Sequence, residues 1–288
     1  MRHTYRCGIG EVFPLAVVIA LGASLDVVKL IIHACPEALE EKLNGKRNVL
    51  HYAIAEGVHI DVIRYLTLQN PALSSDVDSF NAIPLHLAAT YPSSSMCVLN
   101  HLLNIYPVGA NAKDYKAQTP LHRACRARAS IDKVQALIEA CPEVLFWKDW
   151  IQTTPLGWAE RMDHSLSESD PIVIELLEMV ECILTITNHS NGDDDNKDRA
   201  QQILSYFRTS KYFGGIRLAF TKSVQLLPLL DLHMGLLPRL LFIFGLEEKF
   251  DNNAVKDQSS ASVHNKRSIE SIFSVLRQCP DIVACGNV

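Results

Sequence analysis

Three histidines recur at one position of a repeated motif, and they are the first candidates for chemistry in this chain. His51, His86 and His122 each follow a leucine, in "NVLHYA", "IPLHLA" and "TPLHRA". An imidazole can ligate a metal or transfer a proton near neutral pH. However, a side chain that recurs at the same place in successive segments is explained more simply by a repeated structural role. We therefore predict helix-start histidines that hydrogen-bond locally, and we predict neither a catalytic residue nor a metal site.

Other sequence signatures of chemistry are missing. The chain contains no glycine-rich phosphate loop, no G-x-S-x-G, no H-E-x-x-H and no dinucleotide-binding motif. None of its eight cysteines forms a C-x-x-C pair. We interpret the cysteines as reduced residues of the core, including Cys35, Cys141 and Cys279, which share one position before a proline. These observations predict a protein that is not an enzyme and has no cofactor or small-molecule substrate.

Composition and charge narrow the class of partner. The chain has 288 residues, is 48% hydrophobic and 20% charged, and carries a net charge of -5. It can therefore bury a core, and its net charge gives no general attraction to nucleic acid or anionic membranes. The apolar segment 224–246 is long enough to span a bilayer, but charges within it and two prolines disfavour insertion. We expect a soluble protein of the cytoplasm or nucleus.

Two independent markers repeat along the chain with the same period. The first is the leucine of a Thr-Pro-Leu-like motif, with steps of 35, 35, 36 and 35 between Leu15, Leu50, Leu85, Leu121 and Leu156. The second is a proline, with steps of 35, 36 and 35 between Pro36, Pro71, Pro107 and Pro142. The shared single-residue slip indicates a true repeat. Five units are predicted, starting near 13, 48, 83, 119 and 154.

Each unit has the pattern of two helices. In the fourth unit, Thr119 can cap a helix and Pro120 suits its first turn, where no backbone hydrogen bond is lost. Ser130 can cap a second helix, and Pro142 is predicted to end it. The apolar residues of both helices fall on one face. Because one such pair cannot bury that face alone, neighbouring pairs must stack.

The motifs "TPLHRAC" (119–125) and "IPLHLAA" (83–89) resemble the helix-opening signature of ankyrin-repeat proteins. The resemblance implies an all-α, ankyrin-type helical repeat solenoid with finger loops over residues 1–186. The period exceeds the family's usual value of about 33 residues. The glycine that the family places two residues before the threonine is replaced by Lys46, Asn81, Ala117 and Gln152. The helix-start residues are Pro84, His86, Thr119, Pro120, His122, Thr154 and Pro155.

The resemblance also implies a binding surface on the concave face and fingers. Arginine and aromatic residues, which dominate interface energies, are frequent there and suit a partner with an acidic segment. We predict a scaffold or adaptor that binds another protein; the sequence does not specify which. The alternatives are nucleic-acid or acidic-ligand binding through 113–161, and a membrane-associated adaptor using 224–246. The predicted contact residues are Tyr52, Leu87, Lys113, Tyr115, Lys116, Arg123, Arg126, Trp147, Trp150, Trp158 and Arg161.

The remaining third is predicted to be a helical extension. An acidic polar linker is expected at 187–198 and helical segments over 199–288. The segment 267–283 overlays 129–145, which predicts a final helix pair at 235–245 and 268–279. The polar insertion 246–267 between these two helices is predicted to be disordered.

Overall fold

The computed structural model describes residues 5–7, 10–12, 14–161, 171–188, 194–210 and 212–222. These residues are mainly helical, and the predicted all-α class is confirmed. One short antiparallel hairpin precedes the helices: β1 (Tyr5–Cys7) pairs with β2 (Gly10–Val12), with Tyr5 opposite Val12. No helix of the described ranges is both long and apolar enough to cross a membrane.

The chain divides into two compact units, Met1–Glu178 and Met179–Val288. The division falls inside a helix, earlier than the boundary predicted at 186. The segment 224–246, the final helix pair and the insertion 246–267 lie outside the described residues.

The first unit consists mainly of helix pairs. The first helices are α1 (Pro14–Ala20), α3 (Val49–Ala55), α5 (Pro84–Thr90), α7 (Pro120–Arg126) and α9 (Pro155–Glu160). The second helices are α2 (Leu25–Ala34), α4 (Ile60–Gln69), α6 (Met96–Ile105) and α8 (Ile131–Ala140), and α10 (Pro171–Asn188) follows α9. Each first helix packs on the next first helix, and the second helices from α2 to α8 do the same.

The first helices start at the predicted residues. Pro84, Pro120 and Pro155 open α5, α7 and α9, where the missing amide hydrogen costs no bond. The Oγ1 atom of Thr119 accepts a hydrogen bond from the amide of His122 at 3.4 Å. The Oγ1 atom of Thr154 accepts one from the amide of Gly157 at 3.2 Å. These caps satisfy backbone donors that a helix start leaves unpaired.

Two details of the second helices differ from the prediction. Ser130 occupies the N-cap position of α8, but its side chain makes no capping hydrogen bond. Each recurring proline follows the end of a second helix, as predicted, and it also opens a short 3-10 helix. These 3-10 helices span Pro36–Leu39, Pro71–Ser74, Pro107–Asn111 and Pro142–Phe146.

The cysteines are free thiols where the structure describes them, but most lie outside the core. Of the five cysteines whose burial the structure describes, only Cys125 is fully buried, and burial raises the pKa of its thiol to about 12. Cys35 is exposed and Cys141 is half-buried, so the prediction of core packing is wrong for this position. Both are C-cap residues, where the chain leaves an α-helix and the side chain no longer follows its apolar face. Cys279 lies outside the described residues.

The one-residue slip of the repeat lies in the turn between α5 and α6. This turn takes residues 91–95, whereas the equivalent turns take 56–59 and 127–130. In the turn after α3, Gly57 has φ of 68°, and the amide of Val58 donates to the carbonyl of Ala53. This arrangement is a Schellman motif, which satisfies carbonyls at a helix end.

Pro92 prevents that motif after α5. It stands where Gly57 stands after α3, and its ring fixes φ near -65°. The carbonyl of Ala88, the counterpart of Ala53, therefore needs another donor. Lys133 supplies it: its Nζ atom donates to the carbonyls of Ala88 at 2.9 Å and Tyr91 at 2.8 Å.

Lys133 is thus a buried structural lysine. It is 6% exposed and is the third residue of α8. Val62 and Val98 are the third residues of α4 and α6, and both are buried. Burial lowers the pKa of the Lys133 amine. A charged side chain is tolerated here because two carbonyl groups surround its end.

The variant Lys133→Met tests this role. Methionine retains the apolar contacts but leaves the Ala88 carbonyl without its donor, while the Tyr91 carbonyl keeps only the amide of Ser94, so we expect stability to fall by about 2 kcal/mol. Urea unfolding followed by tryptophan fluorescence measures the change. Lys148→Met, at an exposed position, should change stability by less than about 0.5 kcal/mol. Equal effects of the two substitutions would contradict the capping role.

The second unit contains α11 (Asp194–Thr209) and α12 (Phe213–Lys222), which pack together. The rings of Phe207 and Tyr212 meet edge to face, with centroids 5.5 Å apart. The predicted linker at 187–198 needs correction, because α10 extends to Asn188 and α11 begins at Asp194. An aspartate-rich segment is favourable at the start of a helix as well as in solvent, and polarity alone could not distinguish the two.

Candidate partner-binding surface

Three fingers, 75–82, 111–118 and 146–153, are each built around a buried aspartate. The Oδ1 atom of Asp114 accepts hydrogen bonds from the amides of Lys116 at 2.7 Å and Gln118 at 2.9 Å. Asp78 and Asp149 make the same two bonds, to the amides two and four residues further on. The carboxylate therefore shapes each finger from inside.

A residue with positive φ follows each of these aspartates by three positions. The φ values of Asn81, Ala117 and Gln152 are 54°, 54° and 61°, and Lys46 has 57° in the preceding loop. These are the four positions where the family has glycine. These four residues therefore keep the backbone bend that glycine would make. Their side chains lie in the left-handed conformation, in which a Cβ atom is unfavourable.

Ala117→Gly should raise stability. Glycine removes the conformational penalty of alanine at φ of 54°, and we expect a gain of about 1 kcal/mol. Ala112→Gly is the matched control in the same finger, at an ordinary φ of -64°. There, the larger conformational freedom of the unfolded chain should lower stability. Urea unfolding compares the two, and a loss of stability in both would contradict the assignment of strain to Ala117.

Backbone hydrogen bonds join successive fingers. The amide of Tyr115 donates to the carbonyl of Phe80 at 2.9 Å, and the amide of Trp150 donates to the carbonyl of Lys116 at 3.0 Å. The side-chain amide of Asn81 donates to the carbonyl of Lys113 at 2.8 Å. The finger tips are thereby held side by side, and their outward side chains form one surface.

The recurring histidines link each helix start to the next finger. The Nε2 atoms of His51, His86 and His122 lie 3.0, 3.1 and 3.1 Å from carbonyl oxygens of the finger that follows the same helix pair, so Nε2 donates in each ring. In His86 and His122, Nδ1 accepts from an N-cap amide 3.3 Å away. In His51, Nδ1 lies 3.3 Å from the N-cap amide and 2.7 Å from Oδ1 of Asn48. Their bonds are thus not only local, as the sequence predicted, because each ring also bonds to a finger that is distant in sequence.

Burial sets the protonation state of these rings. It lowers the pKa of all three imidazoles, and that of His86 falls to about 4. Each ring is neutral at neutral pH, which matches one accepting and one donating nitrogen. Over the described ranges, no group of three His, Cys, Asp or Glu side chains could hold a metal ion.

Large aromatic side chains project from the finger tips. Phe80, Tyr115 and Trp150 are 49%, 56% and 63% exposed. The ring centroids of Phe80 and Tyr115 lie 5.4 Å apart. Phe80 is absent from the contact residues predicted from the sequence. A phenylalanine among the polar residues of a finger, in "DVDSFN", is the signal that could have identified it.

Cations lie over these rings and their neighbours. The Nζ atom of Lys116 is 5.3 Å from the ring of Tyr115 and 5.7 Å from that of Trp150. The guanidinium groups of Arg126 and Arg161 lie 5.2 and 4.7 Å from the ring of Trp158. We call these six residues the cation–aromatic cluster. A further pair, Lys113 and Trp147, lies nearby in sequence, with 4.4 Å between amine and ring.

The cations of the cluster lack acidic partners in the described part of the chain. No ion pair forms within 4.0 Å of Lys116, Arg126 or Arg161 there. In the first units, by contrast, Lys42 lies 3.4 Å from Asp76, and Arg47 lies 3.6 Å from Asp78. The cluster therefore retains positive charge that neighbouring carboxylates do not neutralise.

Arg123 has a different role from the one predicted. Its Nε and Nη2 atoms lie 2.8 and 2.7 Å from Oδ2 of Asp114, and its side chain is 19% exposed. From α7, Arg123 thus holds the carboxylate of the finger aspartate in place. Trp158 does the same one unit later, donating from Nε1 to Oδ2 of Asp149 at 2.9 Å. Burial raises the pKa of Asp149, but the hydrogen bonds it accepts outweigh this, and its pKa lies below the ordinary value.

Leu87 occupies the position equivalent to Arg123 and Trp158, and it is 2% exposed. It cannot take part in a surface contact, so its place among the predicted contact residues is wrong. A leucine side chain has no hydrogen-bond donor for a finger aspartate, so it packs into the core instead. Tyr52, at the same position one unit earlier, is half-buried.

An open groove of about 400 Å³ runs beside the cluster. Its lining includes Phe80, Tyr115 and Lys116 of the fingers and Arg126 of α7. The ion pair of Arg123 and Asp114 also lines it. The groove thus combines two aromatic rings with two cations that have no carboxylate partner among the described residues.

No protein-family model matches the chain, and a search of curated proteins finds no significant match. The function of the chain is therefore inferred from the geometry of its fingers and first helices.

Proposed function

We propose that residues 1–186 form an ankyrin-type solenoid that binds another protein through its fingers and first helices, without enzymatic activity. The helix pairs, the aspartate-built fingers and the histidines that link each helix start to a finger support the repeat. The family resemblance of "TPLHRAC" and "IPLHLAA" agrees with this arrangement.

The observation that carries the proposal is the exposure of aromatic rings on ordered fingers. Phe80, Tyr115 and Trp150 lie on a surface whose backbone is fixed by the finger hydrogen bonds. Rigid, exposed aromatic side chains bind partners at a low cost in conformational entropy and dominate interface energies. All three tryptophans of the chain lie between residues 147 and 158, which concentrates this potential in one region.

Affinity capture from native lysate with quantitative mass spectrometry tests the proposal. The variant Tyr115→Ala/Trp150→Ala removes two exposed rings without touching the buried finger bonds. We expect it to lower the recovery of specific partners at least about tenfold, the effect of losing interface hot spots. Leu30→Ala/Leu68→Ala is the matched control, with two exposed apolar residues on α2 and α4.

Circular dichroism first establishes that both variants fold. Partners lost from the finger variant and retained by the control support binding through the fingers. Equal recovery with wild type and both variants would refute the finger surface. A wild-type protein that captures no specific partner would refute the interaction module itself.

A further inference from the structure

We infer that the groove beside the cation–aromatic cluster binds an acidic protein segment in which aspartate or glutamate residues alternate with apolar ones. This inference rests on the proposed function and names the chemistry of the partner.

The charge of the groove favours carboxylates. Among its lining residues, Lys116, Arg123 and Arg126 are cationic and Asp114 is anionic. The Arg123–Asp114 pair is internally neutral, so the positive charge of Lys116 and Arg126 faces the open groove. The chain as a whole has a net charge of -5, and this region is locally opposite in sign. Complementary charge of this kind steers a partner and fixes its register.

The walls of the groove favour apolar side chains beside those carboxylates. Phe80 and Tyr115 line the groove side by side, and each residue is about half exposed. The Tyr115 ring lies next to Lys116, so a carboxylate that contacts the lysine places the adjacent residue against an aromatic ring. A purely acidic segment would leave this apolar area unused.

Single-stranded nucleic acid is the alternative occupant, because it binds positively charged grooves in which bases stack on exposed aromatic rings. A polyanion, however, is opposed by the net charge of -5 of the whole chain. The two cations that line the groove without a carboxylate partner among the described residues are matched by a segment with a few carboxylates. Charge therefore favours an acidic protein segment over nucleic acid.

Selection from a phage library of random dodecapeptides on the full chain tests the inference. We expect selected peptides to be enriched in Asp and Glu interleaved with Leu, Phe or similar residues. The best peptide is then titrated against the intrinsic tryptophan fluorescence, because Trp150 and Trp158 belong to the cluster. Lys116→Gln/Arg126→Gln should weaken its binding at least about tenfold. Binding should also weaken as salt is raised.

Lys29→Gln/Arg64→Gln is the control, because these cations pair with Asp26 and Asp61 on α2 and α4. It should bind the selected peptide like wild type. Selected peptides without acidic enrichment, or equal binding by both variants, would overturn the inference. A thymidine oligonucleotide titrated in parallel should not bind; tight binding that is lost in Lys116→Gln/Arg126→Gln would overturn it in favour of nucleic acid.

Failure here is distinguishable from failure of the proposed function. If lysate capture depends on Tyr115 and Trp150 but the selected peptides are not acidic, only the inferred chemistry of the partner is refuted. If neither experiment finds a partner, the proposed interaction module is refuted as well.

Discussion

Lowering the pH from 7 to 5 should destabilise the helix pairs of residues 14–161 by at least about 2 kcal/mol. His51, His86 and His122 are buried and neutral, and each donates from Nε2 to a carbonyl of the following finger. Protonation would charge a buried ring and convert Nδ1 into a donor. The bonds between helix starts and fingers should therefore weaken together.

The sign and size of this loss of stability follow from the linkage between proton binding and folding. Burial lowers the folded-state pKa of His86 from 6.5 to about 4. The unfolded chain then binds the proton more readily than the folded one, so the contribution is complete above 6.5 and is lost as the pH falls toward 4. His86 alone accounts for about 2 kcal/mol at pH 5 and about 3 kcal/mol at pH 4. The pKa values of His51 and His122 are lowered in the same direction and add to the loss.

Urea unfolding at several pH values, followed by tryptophan fluorescence, measures this effect. Stability should rise with pH between 4 and 6.5. His86→Gln removes one titrating ring and should flatten the dependence by about one proton, whereas His33→Gln, on the exposed side of α2, should leave it unchanged. Stability that is independent of pH across this range would show that the rings do not hold the fingers as neutral donors.

Replacing Arg123 by alanine should cost about 3 kcal/mol, although sequence analysis places Arg123 among exposed contact residues. The side chain of Asp114 is 0% exposed, and both nitrogen contacts of Arg123 reach its Oδ2 atom. Removing one partner of a buried ion pair leaves an uncompensated charge, which is strongly destabilising. Oδ1 would still accept two amide hydrogen bonds, so the finger should weaken rather than unfold completely.

Arg126→Ala provides the comparison one helical turn away. Arg126 is exposed, and no carboxylate pairs with it among the described residues, so the cost should stay within about 0.5 kcal/mol. Asp114→Asn/Arg123→Ala should recover part of the loss, because the amide needs no counter-ion. Similar costs for Arg123→Ala and Arg126→Ala would mean that the ion pair contributes little.

The sequence was sufficient to predict where the first helices start. Thr119 and Pro120 start a helix because capping and the fixed φ of proline act over a few residues. The one-residue slip between Leu85 and Leu121 was visible as a count, and in the structure the extra residue lies in the turn at 91–95. The concentration of tryptophan between 147 and 158 was also visible and marks the candidate surface.

Features that depend on contacts between units could not be predicted in this way. The role of Arg123 depends on the carboxylate of Asp114, which comes to lie beside it only when the finger folds back. In the sequence, Lys133 resembles any solvent-exposed lysine of a helix. It is buried because the turn at 91–95 brings two carbonyl groups to its amine. Leu87 shares the position of Arg123, yet its apolar side chain packs inward. In each case, a partner distant in sequence decides whether the side chain is buried.

Site-specific photo-crosslinking tests the central claim most directly. A benzoylphenylalanine residue is incorporated at Tyr115, on the exposed finger surface, or at Leu68, exposed on α4, and native lysate is irradiated. Discrete protein adducts from position 115, absent from position 68 and abolished by Trp150→Ala, are the predicted result. Adducts that form equally at both positions, or only at position 68, would contradict partner binding through the fingers.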